Sequence, residues 1–229
     1  MIAVDLEKRI EQVRDRIAAA AARSGRQPDE VTLLPATKKQ SVATLQEVIE
    51  CGLEYFGENR VQEALPKVAA LPPSVKWDFI GGLQSNKARQ VVGVFDLIHS
   101  VDSLKLAAEI NKRAAQRGMN QKILLEINVG GEAGKHGIAP SDAPALLAEV
   151  NALDHIEVHG LMTVPPFREN LEDVRPFFRR LREMRDDLEQ QEGYGLPVLS
   201  MGMTHDFEIA IEEGSTIVRV GTAIFGARQ

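Results

Sequence analysis

Apolar residues at Leu6, Ile10, Val13 and Ile17 recur at i, i+4, i+7 and i+11 among charged neighbours, a spacing that puts them on one helical face. Asp5 stands where a cap is expected, and Ser24-Gly25 with Pro28 beyond marks the end. After residue 30 the pattern changes. Short apolar runs rich in β-branched and aromatic residues alternate with longer stretches of helical period. Strands are predicted at 31–37, 55–57, 77–81, 96–101, 122–129, 157–164, 197–200 and 216–220. Helices are predicted at 41–51, 61–71 with Pro66 as a kink, 85–92, from a Ser103 cap to Gly118, 141–153, from Asn170 through Leu188, and 204–213.

Eight βα units after one extra helix predict an α/β fold, a (β/α)8 TIM-type barrel of typically about 250 residues. An open doubly wound sheet alternates strands and helices too, but no Gly-x-Gly-x-x-Gly turn follows the first strand. No Ser/Pro/Gly-rich linker or charge run divides the chain, so residues 1–229 are expected to form one domain. In such a barrel the loops after the strands converge on one mouth, and phosphate commonly lies beside the seventh and eighth. Here those loops hold Ser200 to Gly202, and Gly221 with Thr222.

Composition narrows the partners. With 33 acidic against 27 basic residues the net charge is -6, which argues against a nucleic-acid surface. A 44% hydrophobic, 26% charged chain is globular, and small molecules are the expected ligands. No apolar run reaches the roughly 20 residues of a membrane span. The first 23 residues carry acids and bases at helical spacing, unlike a signal or transit peptide. The lone Cys51 excludes an intrachain disulfide and reads as a buried hydrophobe. A cytoplasmic protein is expected.

The chemistry concentrates near the C-terminus. Within the strand-like run 216–220 stands Arg219, a permanent cation that needs an acceptor when buried. Two readings stay open: it pairs with a carboxylate in an ordinary core, or it serves a ligand together with Gly221, whose missing side chain admits a ligand, and the Thr222 hydroxyl. Lys38 and Lys39 end the first strand, and a lysine sharing a partly dry mouth with an arginine is more readily neutral and nucleophilic. Alternation puts the two lysines on opposite faces without saying which faces in. Asn59, Ser85 and Asn86 add polar groups to the rim. His155 and His159 have i, i+4 spacing, but His159 falls in a strand, so no metal site is expected. His99 lies near the end of the fourth strand, and His136 sits in a glycine-flanked loop that reads as a lid.

Several ordered motifs carry a resemblance that spans nearly the whole chain. Ala36-Thr37-Lys38, Phe56-Gly57-Glu58-Asn59-Arg60-Val61-Gln62-Glu63, Trp77-Asp78-Phe79-Ile80-Gly81 leading into Leu83-Gln84-Ser85-Asn86-Lys87, Gly160-Leu161-Met162, Leu199-Ser200-Met201-Gly202-Met203 and Val218-Arg219-Val220-Gly221-Thr222-Ala223-Ile224-Phe225-Gly226 resemble the pyridoxal phosphate homeostasis protein family. The resemblance implies a barrel like the N-terminal domain of alanine racemase, with pyridoxal 5'-phosphate (PLP) held by a strand-one lysine. Through Ala36-Thr37-Lys38 it assigns that lysine to Lys38. It further implies Arg219 at the pyridine nitrogen, Ser200, Gly221 and Thr222 around the phosphate, and Asn59 among the cofactor-binding residues. His205 departs from the pattern, where an acidic or small polar residue is usual, and so does Thr204, where serine is common.

Three functions follow as alternatives. The resemblance implies a non-catalytic carrier or regulator of the PLP supply, with the cofactor as a lysine Schiff base and PLP-dependent apoenzymes as transient partners. A PLP-dependent racemase or decarboxylase is the alternative, and a cofactor-free lysine aldolase the third. The alanine racemase pattern adds a second domain with an acid/base tyrosine, whereas this sequence stops at Gln229 and has only Tyr55 and Tyr194. An open mouth suits exchange better than protection of a carbanion.

Overall fold

The structure, a computed structural model, describes residues 2–132 and 134–226, so Met1, Ala133 and residues 227–229 fall outside it. Helix α1 (Ile2–Arg23) precedes strand β1 (Thr32–Pro35), and then strands and helices alternate. In order they are α2 (Val42–Glu50), β2 (Tyr55–Glu58), α3 (Val61–Ala70), β3 (Lys76–Phe79), α4 (Ala88–Val91), β4 (Leu97–Val101), α5 (Leu104–Gln116) and β5 (Gln121–Glu126). There follow α6 (Ala143–Asn151), β6 (Ile156–Met162), α7 (Arg175–Glu192), β7 (Val198–Met203), α8 (Phe207–Glu212), β8 (Ile217–Val220) and α9 (Thr222–Phe225). The eight strands form one parallel sheet in the order β1-β8-β7-β6-β5-β4-β3-β2. A single bridge, Ala36 with Gly57, and the Thr37 amide bonded to the Gly57 carbonyl at 2.9 Å bring β1 to β2 and nearly close the barrel.

Alternation along the strands sorts side chains into two layers. A large apolar cluster joins the outer strand faces to the helices, Leu6, Ile10, Val13 and Ile17 of α1 among them. A second, small cluster of Leu34, Leu97, Leu124, Met162 and Ile217 plugs the interior. Counting on by twos from Leu34 and Ile217 reaches Ala36 and Lys38, and Arg219 and Gly221. The plug therefore aims the site residues at the mouth.

Three expectations need correction. Helix α1 starts upstream of Asp5, which sits in its first turn paired with Arg9 at 2.5 Å and caps nothing. Residues 85–92 form a 3-10 turn (Ser85–Lys87) and the single turn α4, because no long apolar face is present to extend the helix. Strand β7 runs past Ser200 to Met203; Gly202 reads as a turn in the sequence but sits within a register shift against β8.

Candidate functional site

At the C-terminal ends of the strands lies a cleft of about 400 Å³. Lys38 after β1, Asn59 after β2, Thr204 and His205 after β7, Arg219 of β8, and Gly221 and Thr222 beyond it all line this space. Four separated stretches of sequence thus meet on one cavity.

Lys38 is half-buried against the cleft, whereas Lys39 is exposed and absent from its wall. Lys39 adopts a left-handed φ of 64°, and its amide donates to Glu63 Oε2 at 2.9 Å. The backbone before Lys38 is pinned from below. The buried Thr37 hydroxyl donates to Glu58 Oε1 at 2.6 Å, and Lys67 Nζ of α3 donates to the same oxygen at 2.6 Å and to the Thr37 carbonyl at 2.8 Å.

Arg219 is 5% exposed, and among the described residues no carboxylate forms an ion pair with it. Its Nη1 donates to the Ser200 carbonyl at 2.7 Å and hydroxyl at 2.5 Å, and its Nη2 to the Thr163 carbonyl at 2.8 Å. Burial lowers its pKa to about 10, opposed by the charges of Glu126 and Asp206, so it remains a cation at neutral pH. Carboxylate charge thus reaches Arg219 from Glu126 and Asp206 without a close ion pair among the described residues.

Ser200 is placed differently from the expected phosphate contact. Its hydroxyl is fully buried, lies between Arg219 and His99, and is not part of the cleft wall. An inward position one step deeper along β7 accounts for this. The hydroxyl beside Gly221 is that of Thr204, whose Oγ1 accepts from the Gly221 amide at 3.2 Å and the Ala223 amide at 3.4 Å. Two amides converge on one oxygen there. His205 turns away: it stacks on Phe167, with ring centroids 4.9 Å apart, and its Nε2 donates to the Arg168 carbonyl at 3.1 Å. Asn59 Oδ1 is buried with no hydrogen-bond partner among the described residues. Its backbone packs so closely on the segment after β3 that a Cβ at Gly81 would lie 2.3 Å from the Asn59 carbonyl oxygen.

Beneath Arg219 runs a polar chain that the sequence reading missed. His99 Nδ1 meets Ser200 Oγ at 2.9 Å, His99 Nε2 meets Asp78 Oδ2 at 2.8 Å, and the Tyr55 hydroxyl donates to that oxygen at 2.5 Å. Burial lowers the His99 pKa, and burial with the Asp78 charge raises that of Tyr55. The available signal was Asp78 itself, a carboxylate in the strand-like run Trp77-Asp78-Phe79. Glu126 and Asp206 were also missed; desolvation raises both.

The remaining candidates lie elsewhere. Ser85 and Asn86 form the 3-10 turn and do not line the cleft. His136 is exposed, near Gly82 and 3.9 Å from Asp102. His159 bonds Glu157 at 3.2 Å within β6, while the His155 amide donates to Asn111 Oδ1 at 2.8 Å. Cys51 is half-buried against the apolar core.

Comparison with known proteins places the geometry in a family. Residues 9–229 match the alanine racemase, N-terminal domain model. The pyridoxal phosphate homeostasis protein of Aquifex aeolicus (strain VF5) is 48% identical over 223 residues, covering 97% of this chain and 98% of that one. The protein of the same name from Escherichia coli (strain K12) is 39% identical over 230 residues, covering 98% and 97%. Among solved structures, PipY of Synechococcus elongatus PCC7942 with PLP bound is 34% identical, with a TM-score of 0.84 over 96% of this chain and 100% of that one. This chain belongs to the pyridoxal phosphate homeostasis protein family, built on the alanine racemase N-terminal domain.

Proposed function

We propose that the cleft binds pyridoxal 5'-phosphate and that the protein works in PLP homeostasis as a carrier or regulator, with residues 1–229 as one binding unit. The observation that carries this reading is the meeting of Lys38, Arg219, Gly221, Thr222 and Asn59 on one cleft of about 400 Å³. The donor set suits the cofactor's three functional ends. Lys38 supplies the amine for a Schiff base, and Arg219 a donor for the ring nitrogen. The Thr204 and Thr222 hydroxyls supply donors for the phosphate, Thr204 being held in place by the Gly221 and Ala223 amides. Asn59 brings an unpartnered buried oxygen to the same wall. Thr204 takes the phosphate role expected of Ser200.

The carrier reading is supported by what surrounds Lys38. Bound PLP supplies an electron sink, strongest when its ring nitrogen is protonated. Arg219 only donates, so a nitrogen facing it stays an unprotonated acceptor. Among the described residues, the ionisable side chains lining the cleft besides Lys38 and Arg219 reduce to His205, committed to the Arg168 carbonyl. The Tyr55 hydroxyl is committed to Asp78 below. A site without a placed proton donor forgoes a general acid/base factor of about 10² to 10⁴.

The racemase or decarboxylase reading is favoured by His205, an imidazole on the cleft wall. Two measurements decide. Borohydride reduction of the PLP-loaded protein followed by peptide mapping is expected to find the label on Lys38; label on Lys39, or spread over surface lysines, refutes the assignment. Incubation with amino acids in deuterium oxide is expected to yield no D-isomers or amines within seconds, while PLP passes to an apoenzyme. Turnover on that timescale makes the protein an enzyme.

A further inference from the structure

The chain of polar groups beneath Arg219 admits one self-consistent placement of its protons. A guanidinium only donates, so Ser200 Oγ accepts from Arg219 Nη1 at 2.5 Å. At the far end, Asp78 Oδ2 accepts from the Tyr55 hydroxyl at 2.5 Å and faces His99 Nε2 at 2.8 Å. The nitrogen facing that acceptor carries a hydrogen. Burial keeps the imidazole neutral, so its Nδ1 is bare and receives the Ser200 hydroxyl proton across 2.9 Å. Every bond from Arg219 through Ser200 and His99 then points toward Asp78.

This direction matters because of what each end lacks. Arg219 makes no carboxylate ion pair among the described residues, and its guanidinium donates to two carbonyls and one hydroxyl. Asp78 is fully buried, and its Oδ1 has no hydrogen-bond partner among the described residues. The Asp78 charge reaches Arg219 through the two neutral groups between them, in a low-dielectric interior where aligned bonds polarise one another.

We propose that Asp78 and His99 are positioning residues of the cleft: they hold the Ser200 lone pair against Arg219 and relay the Asp78 charge, keeping the guanidinium aimed as a donor at the cofactor's ring nitrogen. The proposal rests on the reading that PLP lies in the cleft with its ring nitrogen toward Arg219. Sequence separation hides the device, for Ser200 and His99 stand 101 residues apart.

The test begins with the unaltered protein. With 15N-labelled histidine at pH 7, His99 is expected to show the neutral ring with hydrogen on Nε2; a doubly protonated ring, or hydrogen on Nδ1, overturns the proposal. Binding of PLP is then compared with binding of its benzene analogue, which has CH in place of the ring nitrogen. Asp78→Asn and His99→Leu are each expected to weaken PLP about tenfold or more, the scale of a lost bond to a charged group, and to leave the analogue within about twofold. His99→Gln, whose amide can accept from Ser200 and donate to Asp78, is expected to retain most of the preference for PLP. Equal losses for both ligands would mean a merely structural role and overturn the proposal, as would no loss in either variant. Wild-type protein that binds the two ligands alike instead overturns the underlying orientation of the cofactor, an outcome distinct from the others.

Discussion

Gly221 is glycine for a reason its own backbone does not supply. Its φ of -113° is open to any residue, and an added Cβ would meet only Ala36, at 3.6 and 3.7 Å, which is ordinary contact. The residue lines the cleft, so an added methyl group takes ligand space without disturbing the protein. Gly221→Ala is therefore expected to leave the melting temperature of ligand-free protein within about 3 °C and to weaken PLP about tenfold or more. Pyridoxal without its phosphate is expected to bind far more weakly than PLP to the wild type and to be little affected by the substitution. Fluorescence titration with both compounds checks the pair of outcomes. Arg219 teaches a related lesson: its type and strand position are readable from sequence, but its acceptors come from elsewhere, Ser200 from within β7 and Thr163 from just past β6.

The joint between β1 and β2 is where the barrel closes, and it closes with little backbone pairing. Side chains make up the difference. Lys67 of α3 is buried on Glu58 of β2 at 2.6 Å and on the Thr37 carbonyl at 2.8 Å, binding a helix and both strand ends directly before Lys38. Breaking such a pair leaves one buried charge without its partner, which costs more than removing both. Lys67→Met is expected to destabilise the protein by about 3–5 kcal/mol, and Lys67→Met with Glu58→Gln to recover most of that loss. Urea unfolding of the three proteins measures it. Neither partner announces the pair in sequence: Lys67 follows Pro66 on an amphipathic helix, and Glu58 sits among rim residues.

Acid stability of the whole molecule follows from groups far apart. Burial depresses the His99 pKa in the folded state, with Asp78 opposing, so the unfolded chain takes the proton first as pH falls below about 6.5. Stability held above that pH is lost as it falls toward the folded value. Glu212 and Glu213 act later: burial alone would raise them, but arginine bonds from Arg175, Arg179 and Arg23 outweigh it and hold them low. Their contribution is complete above the unfolded value near 4.3 and is lost as pH falls through the lower folded one. Glu126 and Asp206, raised by desolvation, run the opposite way and soften the decline. Urea midpoints across pH 8 to 3.5, an interval set by these ordinary carboxylate and imidazole values of about 4 to 6.5, are expected to fall in two stages. His99→Gln removes the first, and Arg179→Ala weakens the second. The barrel itself was legible in the chain, because strand and helix periods are local and repeat eight times. From that count followed the mouth and the company of Lys38, Arg219, Gly221 and Thr222. Alternation alone left Lys38 and Lys39 undecided; the interior plug, continued by twos from Leu34, set Lys38 toward the cleft. Depth along a strand was hidden too, and it moved Ser200 below Arg219 and left Thr204 at Gly221. The pairing of His99 with Asp78 and Ser200, and of Lys67 with Glu58, was decided only by tertiary structure, since each joins different elements and depends on register and tilt rather than on neighbouring residues.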